Sequence, residues 1–189
     1  MKRVVVPIAT GFEEIETITI VDILRRAGVA VSLASVEQGA PPAALEGRSN
    51  IKVIPDRALS EVQVSDFDMI VLPGGLKGAQ TLQKDRHVAR LLRDLQQADP
   101  SRYYIAAICA APIVLASNNM IAGRRLTSHP SVKDQLDGAI YDEGRVVIDG
   151  NLVTSRGPGT AMEFALTLVK VLEGQEKMHD IKEAVLAAV

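Results

Sequence analysis

The sequence predicts an α/β protein, a doubly wound and mainly parallel sheet sandwiched by helices. Three observations carry that reading. Short β-branched runs alternate with stretches of helical periodicity along the chain. The runs are almost wholly apolar, as strands buried on both faces must be. Three of them end in small or glycine-rich segments: "PGG" at 73–75, "CAAP" at 109–112 and "SRGPGT" at 155–160. In a doubly wound sheet such ends fall on one edge, where ligands bind.

The elements follow in order. "RVVVPIA" (3–9) reads as the first strand, closed by Thr10 and Gly11. "EEIETITIVDILRRAG" reads as a helix, with Ile15, Ile18, Val21 or Ile23, Leu24 and Ala27 near helical spacing and Gly28 as its stop. Glu13, Glu14 and Glu16 in its first turn and Arg25 and Arg26 in its last suit the helix dipole. "VAVSLASV" (29–36) is the second strand, "GAPPAALEG" (39–47) a loop and "IKVIP" (51–55) a short extended piece. "FDMIVLPGG" (67–75) is a strand running into a glycine-rich turn, and Val88, Leu91, Leu92 and Leu95 mark the helix after it. "YYIAAIC" (103–109) is another buried strand, with a short helix in "APIVLASNNMIAG". "RVVIDGNLVTS" (145–155) is a hairpin turning at Asp149-Gly150-Asn151. "GPGTAMEFALTLVKVLEG" is a helix ending at Gly174, and a last helix over about 175–189 puts Met178, Ile181, Val185 and Val189 on one stripe. No linker, repeat or low-complexity tract divides the chain, so 1–189 reads as a single domain.

Composition narrows the function classes. A chain of 189 residues buries roughly 70% of its unfolded surface and needs no disulfide or metal to hold it. Aromatics are only 3% and there is no Trp, so surfaces for base stacking are scarce. Net charge is −2 with no basic run, so no specific nucleic-acid binding is expected. No apolar stretch reaches the roughly 18 residues of a membrane span. "MKRVVVPIATGFEEIE" starts like a signal peptide, but Pro7 and the glutamates break the pattern, and it reads as a strand. A single Cys, with no Cys or His cluster, suggests no metal and no cofactor, and a reducing compartment. The cytoplasm is the expectation, or an organelle if a transit peptide has been removed.

Cys109 is the first candidate for chemistry. It follows a buried strand and precedes a short helix, which is the setting of a nucleophile elbow. An elbow crowds the backbone, and the positions two before and two after are the small Ala107 and Ala111. A thiol at a helix N-terminus is expected to have a lowered pKa, and Pro112 fits that helix's first turn. The competing reading is a small hydrophobe in the core. "PGGLKGA" (73–79) is neither a P-loop nor a dinucleotide fingerprint. It reads as a tight turn whose amides would form an oxyanion hole beside a thiolate. His129, before Pro130, lies in a loop and is a candidate base for Cys109. His87 and His179 look solvated. Glu16 faces the same sheet edge, and beside a thiolate it is pushed towards its neutral, hydrogen-bond-donating form.

Together these residues resemble the ThiJ/PfpI superfamily, and within it the branch of the parkinsonism-associated protein deglycase. The stretches that carry the likeness are "EEIETITIVDILRRAGV", "ASVE", "FDMIVLPGG", "GAQTL", "AAICAAP", "HPSVKD" and "VTSRGPGTAMEFAL", spread over nearly the whole chain. The resemblance implies a flavodoxin-like fold, with Cys109 as the reactive, oxidisable cysteine. It implies that Glu16 stays protonated beside the sulfur, that His129 is the nearby histidine, and that Gly75 and Ala110 supply oxyanion amides, with Gly74 in the same turn. Arg26 and Arg48 match arginines near the pocket at a dimer interface, and Arg156 and Pro158 fall in the shared "SRGPG" turn. It further implies a homodimer through the first helix and a C-terminal helix that sets this branch apart from the PfpI proteases. Ala111 departs from the glycine of some members and keeps the position small.

The activity this implies is that of a cofactor-independent cysteine enzyme on reactive carbonyls: a glutathione-independent glyoxalase, or a deglycase of glycated proteins and nucleotides. The alternative is a redox-sensing stress protein or chaperone that works through oxidation of Cys109. A cysteine peptidase is the third reading, and the family's poorly placed histidine argues against it.

Overall fold

A computed structural model describes residues 1–37 and 43–189 of the chain. Residues 39–42 of the loop expected at 39–47 therefore lie outside the described residues. The strands are β1 (Arg3–Ile8), β2 (Ala30–Ser35), β3 (Leu45–Glu46), β4 (Lys52–Val53), β5 (Arg57–Ala58), β6 (Met69–Leu72), β7 (Tyr104–Ile108), β8 (Arg125–Leu126), β9 (Ile140–Tyr141), β10 (Val146–Asp149) and β11 (Leu152–Ser155). The helices are α1 (Glu14–Arg26), α2 (Leu76–Lys84), α3 (Arg86–Gln97), α4 (Pro112–Ser117), α5 (Ala161–Glu173) and α6 (Gln175–Ala184).

Among the described residues, seven strands form one sheet in the order β10-β11-β7-β6-β1-β2-β5. All neighbours are parallel except β10 and β11, the expected hairpin, in which Ile148 faces Val153 and Asp149 faces Leu152. The five central strands thus run second, first, third, fourth, fifth in chain order, which is the flavodoxin-like order. The order reverses between β1 and β6, so the segments following those two strands diverge and leave a crevice at their carboxyl ends. The strands are apolar because both faces are covered: β6 and β11 are buried throughout, and β1 is exposed only at Arg3. α1 packs on α5 and α5 on α6, while α2 packs on α3 and α4.

Four local expectations change. Glycines 74 and 75 do not simply end a turn; α2 starts directly at Leu76. Leu45 and Glu46, placed in a loop by the sequence, pair with Val53 and Lys52 as a small hairpin. Ile15 and Ile18 were read on the core stripe of the first helix, yet they are 57% and 44% exposed. The inward face of α1 is instead Thr17, Ile20 and Leu24, at spacings of three and four. The last helix stops at Ala184, and of its expected stripe Ile181 is buried and Val189 exposed. No helix among the described residues is long and apolar enough to cross a membrane.

Candidate active site

The site assembles from three strand ends. After β1 the chain turns through Gly11, and Glu13 becomes the N-cap of α1, its carboxylate accepting the Glu16 N–H at 2.7 Å. That cap fixes Glu16 in the first turn, fully buried. After β6, the Gly74 N–H donates to Glu16 Oε2 at 2.8 Å. A Cβ on Gly74 would lie 2.5 Å from Glu16 Oε2 and 2.6 Å from the Cys109 Cβ. Glycine is required there because it is the gap through which acid and thiol approach. Gly75, at φ +84°, packs its α-carbon against the Gly11 carbonyl and the Glu13 amide, leaving no room for a side chain.

After β7 comes Cys109 at φ +64°, in the left-handed region. For a residue with a Cβ this costs about 1–2 kcal/mol, and it persists only where neighbours hold it. Here the Cys109 N–H donates to the Ser155 carbonyl at 3.0 Å, and its carbonyl accepts the His129 N–H at 2.9 Å. Ala107 and Ala111 are fully buried on either side, as the elbow demands. Beneath it, Ser155 Oγ and Thr160 Oγ1 stand 2.6 Å apart, and Thr160 Oγ1 also accepts the Gly157 N–H at 3.1 Å, pinning the "SRGPGT" turn.

Burial dominates the electrostatics. It raises Glu16 from 4.5 to about 7, with help from the neighbouring Glu13 carboxylate; Cys109, the Gly74 amide and Arg48 pull the other way. Burial and the Glu16 carboxyl also push the Cys109 thiol up to about 12. The expectation of a lowered thiol pKa is therefore corrected. The sulfur is buried and faces a carboxyl, α4 is only six residues long, and only the Gly75 and Ala110 amides favour the thiolate. The Glu16–Cys109 contact influences both groups without full hydrogen-bond alignment, and Glu16 Oε1 is buried with no partner of good geometry.

The remaining candidates divide. Gly75 and Ala110 do present amides to the sulfur, whereas the Gly74 amide is occupied by Glu16 and is not free for an oxyanion. The His129 ring is exposed and makes no hydrogen bond to Cys109; its Nδ1 is engaged by Ser131. Arg48 is close enough for its charge to act on Glu16. Arg156 donates to the Glu143 carbonyl at 2.9 Å and borders an open groove of about 350 Å³ that also takes in His129 and Gly157. Arg26 stands apart: it is ten residues along α1 from Glu16, about 15 Å, and pairs with Asp22 at 2.9 Å. Sequence reasoning missed Glu13 as a site residue. Its signal was an acceptor side chain three residues before Glu16, the spacing of a helix cap. Among the described residues no group of three or more His, Cys, Asp or Glu side chains is placed to hold a metal ion.

The strained cysteine, its buried acid and the strand order all accord with what comparison finds: the pattern of the DJ-1/PfpI family matches residues 2–171. The chain belongs to the DJ-1/PfpI family. It is 42% identical over 189 residues to protein dj-1beta of Drosophila melanogaster, covering 99% of this chain and 98% of that one. The crystal structure of Drosophila melanogaster DJ-1beta matches with a TM-score of 0.91 at 43% identity, over 100% of this chain and 99% of that one. A Caenorhabditis elegans DJ-1/PfpI relative called glutathione-independent glyoxalase DJR-1.2 is 38% identical over 171 residues, which cover 89% of this chain and 87% of that one. Oxidized DJ-1 of Toxoplasma gondii matches with a TM-score of 0.92 at 35% identity over the whole of both chains.

Proposed function

We propose that the protein is a cofactor-independent cysteine enzyme that converts small dicarbonyls, such as methylglyoxal, to hydroxy acids. The observation that carries this is the buried Glu16–Cys109 pair at the elbow. A carboxyl raised to about 7 is a proton acceptor and donor matched to neutral pH. A buried thiol is a poor preformed thiolate, so its proton leaves as the sulfur attacks. Cys109 Sγ adds to the aldehyde carbon of methylglyoxal while Glu16 takes the thiol proton, giving a hemithioacetal once the carbonyl oxygen is protonated. Glu16 then carries a proton from the former aldehyde carbon to the neighbouring ketone carbon while the hydroxyl proton passes to the ketone oxygen, which turns the hemithioacetal into a thioester. Water cleaves the thioester to lactate and regenerates the thiol. The Gly75 and Ala110 amides stabilise negative charge at the sulfur and its adduct. The relative named as a glutathione-independent glyoxalase supports the same substrate class. Early adducts of such carbonyls on proteins or nucleotides present similar groups and are the candidate deglycation substrates.

The active form in this reading is a homodimer through the first helix. The outward Ile15 and Ile18 of α1, with the exposed Ile51 and Ile54 nearby in sequence to β4, supply an apolar face of the kind a second copy covers. Arg26 enters the site only from such a copy.

The test is consumption of methylglyoxal without glutathione. Wild-type protein should form lactate, and Cys109→Ser should fall to the uncatalysed rate. Equal inertness of both proteins overturns the enzyme reading. A second reading, a redox sensor, is favoured by Glu16 Oε1, which is buried without a hydrogen-bond partner in a side chain that adjoins Cys109; as a carboxylic acid Glu16 donates to a sulfinate oxygen. The oxidized Toxoplasma relative accords with it. Mild peroxide should then add two oxygens at Cys109 by mass spectrometry, and an untouched Cys109 defeats it.

A further inference from the structure

The His129 loop is held by contacts that fix more than its position. His129 is the N-cap of a short 3-10 helix, Pro130–Gln135. Its Nδ1 accepts the Ser131 backbone N–H at 3.2 Å and stands 2.8 Å from Ser131 Oγ. One residue earlier the Tyr141 hydroxyl donates to the Ser128 carbonyl at 3.0 Å, and Lys133 Nζ lies 4.6 Å from the centre of the Tyr141 ring, so the segment is clamped on both sides of the histidine.

A backbone N–H can only donate. The Nδ1 lone pair must be available to receive it, and in neutral imidazole the ring proton then resides on Nε2. In that tautomer the Ser131 hydroxyl also donates to Nδ1, so two bonds form. The opposite tautomer keeps one bond, from Nδ1–H to Ser131 Oγ, and sets N–H against N–H. The ring's other edge faces the site: a Cβ on Gly157 would lie 3.6 Å from His129 Cδ2 and 3.9 Å from Cys109 Sγ. Ring edge and sulfur thus flank the same glycine without a hydrogen bond between them.

We propose that Ser131 is a positioning residue that fixes His129 as the Nε2–H tautomer, so that the imidazole serves the Cys109 pocket as a hydrogen-bond donor and not as the base for the thiol. Its ligand is the carbonyl oxygen of the bound substrate. As the S–C bond forms and the S–H proton passes to Glu16, the carbonyl π pair becomes an alkoxide, and Nε2–H stabilises it. The identity of that oxygen rests on the carbonyl-enzyme reading; the tautomer does not.

Nitrogen-15 NMR of the labelled protein, with the ring neutral and His129 assigned by its loss in His129→Gln, reads the tautomer directly. Wild type should carry the proton on Nε2. Ser131→Pro removes the backbone donor and should shift the ratio several-fold towards Nδ1–H, whereas Ser131→Ala keeps that donor, takes one bond from each tautomer and should leave the ratio within about twofold. A proton on Nδ1 in wild type, an unchanged ratio in Ser131→Pro, or a several-fold shift in Ser131→Ala overturns the proposal. Iodoacetamide alkylation of Cys109 is the second readout. His129→Gln should leave its rate within about twofold, whereas a loss of about tenfold or more would make His129 the base. Neither measurement uses a carbonyl substrate, so an enzyme inert to methylglyoxal would defeat the proposed function and leave this one standing.

Discussion

The two ends of the central sheet treat carboxylates in opposite ways. At the amino end they are wet and paired. Asp149, the last residue of β10, accepts from Arg124 Nε at 2.8 Å, which holds its carboxyl below the usual range. Asp99, before β7, is held low by the Ser101 N–H and hydroxyl, and Asp68, before β6, accepts the Arg3 N–H at 2.8 Å. At the carboxyl end Glu13, Glu14 and Glu16 are all buried, and Glu14 Oε2 and Glu16 Oε1 have no partner. There Glu16 is raised, beside a cysteine with strained backbone. Residue type does not decide the direction; water and partners do. One end is arranged for stability, and the other carries costs of the kind that mark candidate functional sites.

The sharpest way to break this contrast is Gly74→Ala. Its Cβ would fall 2.5–2.6 Å from both Glu16 and Cys109, and the neighbours that must move are a buried carboxyl and an elbow. Denaturant unfolding should show a loss of about 3 kcal/mol or more, with turnover gone. A variant of wild-type stability would mean that the pair is not tightly wedged.

The pH dependence of stability comes next. Glu16 keeps its proton in the folded chain up to about 7, while the unfolded chain releases it near 4.5. Stability from this group is therefore full below 4.5 and is lost as pH rises through 7, by about 3 kcal/mol in all. Urea titrations of wild type and Glu16→Gln should differ by that slope, the variant being flatter. The same substitution should lower turnover by about 10²–10⁴-fold and slow Cys109 alkylation by about tenfold or more, because the thiol loses its proton acceptor. Parallel pH profiles would place the acid elsewhere.

The smallest effect belongs to the amino end. Asp149 is lowered, so its contribution is present above its unfolded value and lost as pH falls through the folded one. The pair with Arg124 is about one-third exposed, and Asp149→Asn should cost no more than about 1 kcal/mol at neutral pH. It should leave turnover unchanged. A larger loss than that from Gly74→Ala would reverse the contrast between the two ends.

Much of this was legible in the chain. The apolar β-branched runs mark the five central strands, because a strand buried on both faces can carry little else. Asp149-Gly150-Asn151 marks the hairpin, because that turn needs a residue tolerant of positive φ. Ala107 and Ala111 mark the elbow through its crowding. Ile15 and Ile18 misled, because periodicity reports an apolar stripe and not which neighbour covers it. The start of α2 at Leu76 was hidden because Gly74 and Gly75 carry turn signals while serving as a helix entrance. The role of Ser131 was equally hidden, since a serine after proline is ordinary in any loop.

The sequence alone determines the strands of a doubly wound, mainly parallel sheet and the candidate nucleophile, because these follow from local pattern and from which residue types can be a nucleophile. Only the tertiary structure decides what Cys109 and Glu16 are at neutral pH. Their protonation depends on how much water is removed, on the Glu13 carboxylate beside them and on the absence of a side chain at Gly74. Those are distances between segments up to 96 residues apart, and desolvation is set in three dimensions, not along the chain.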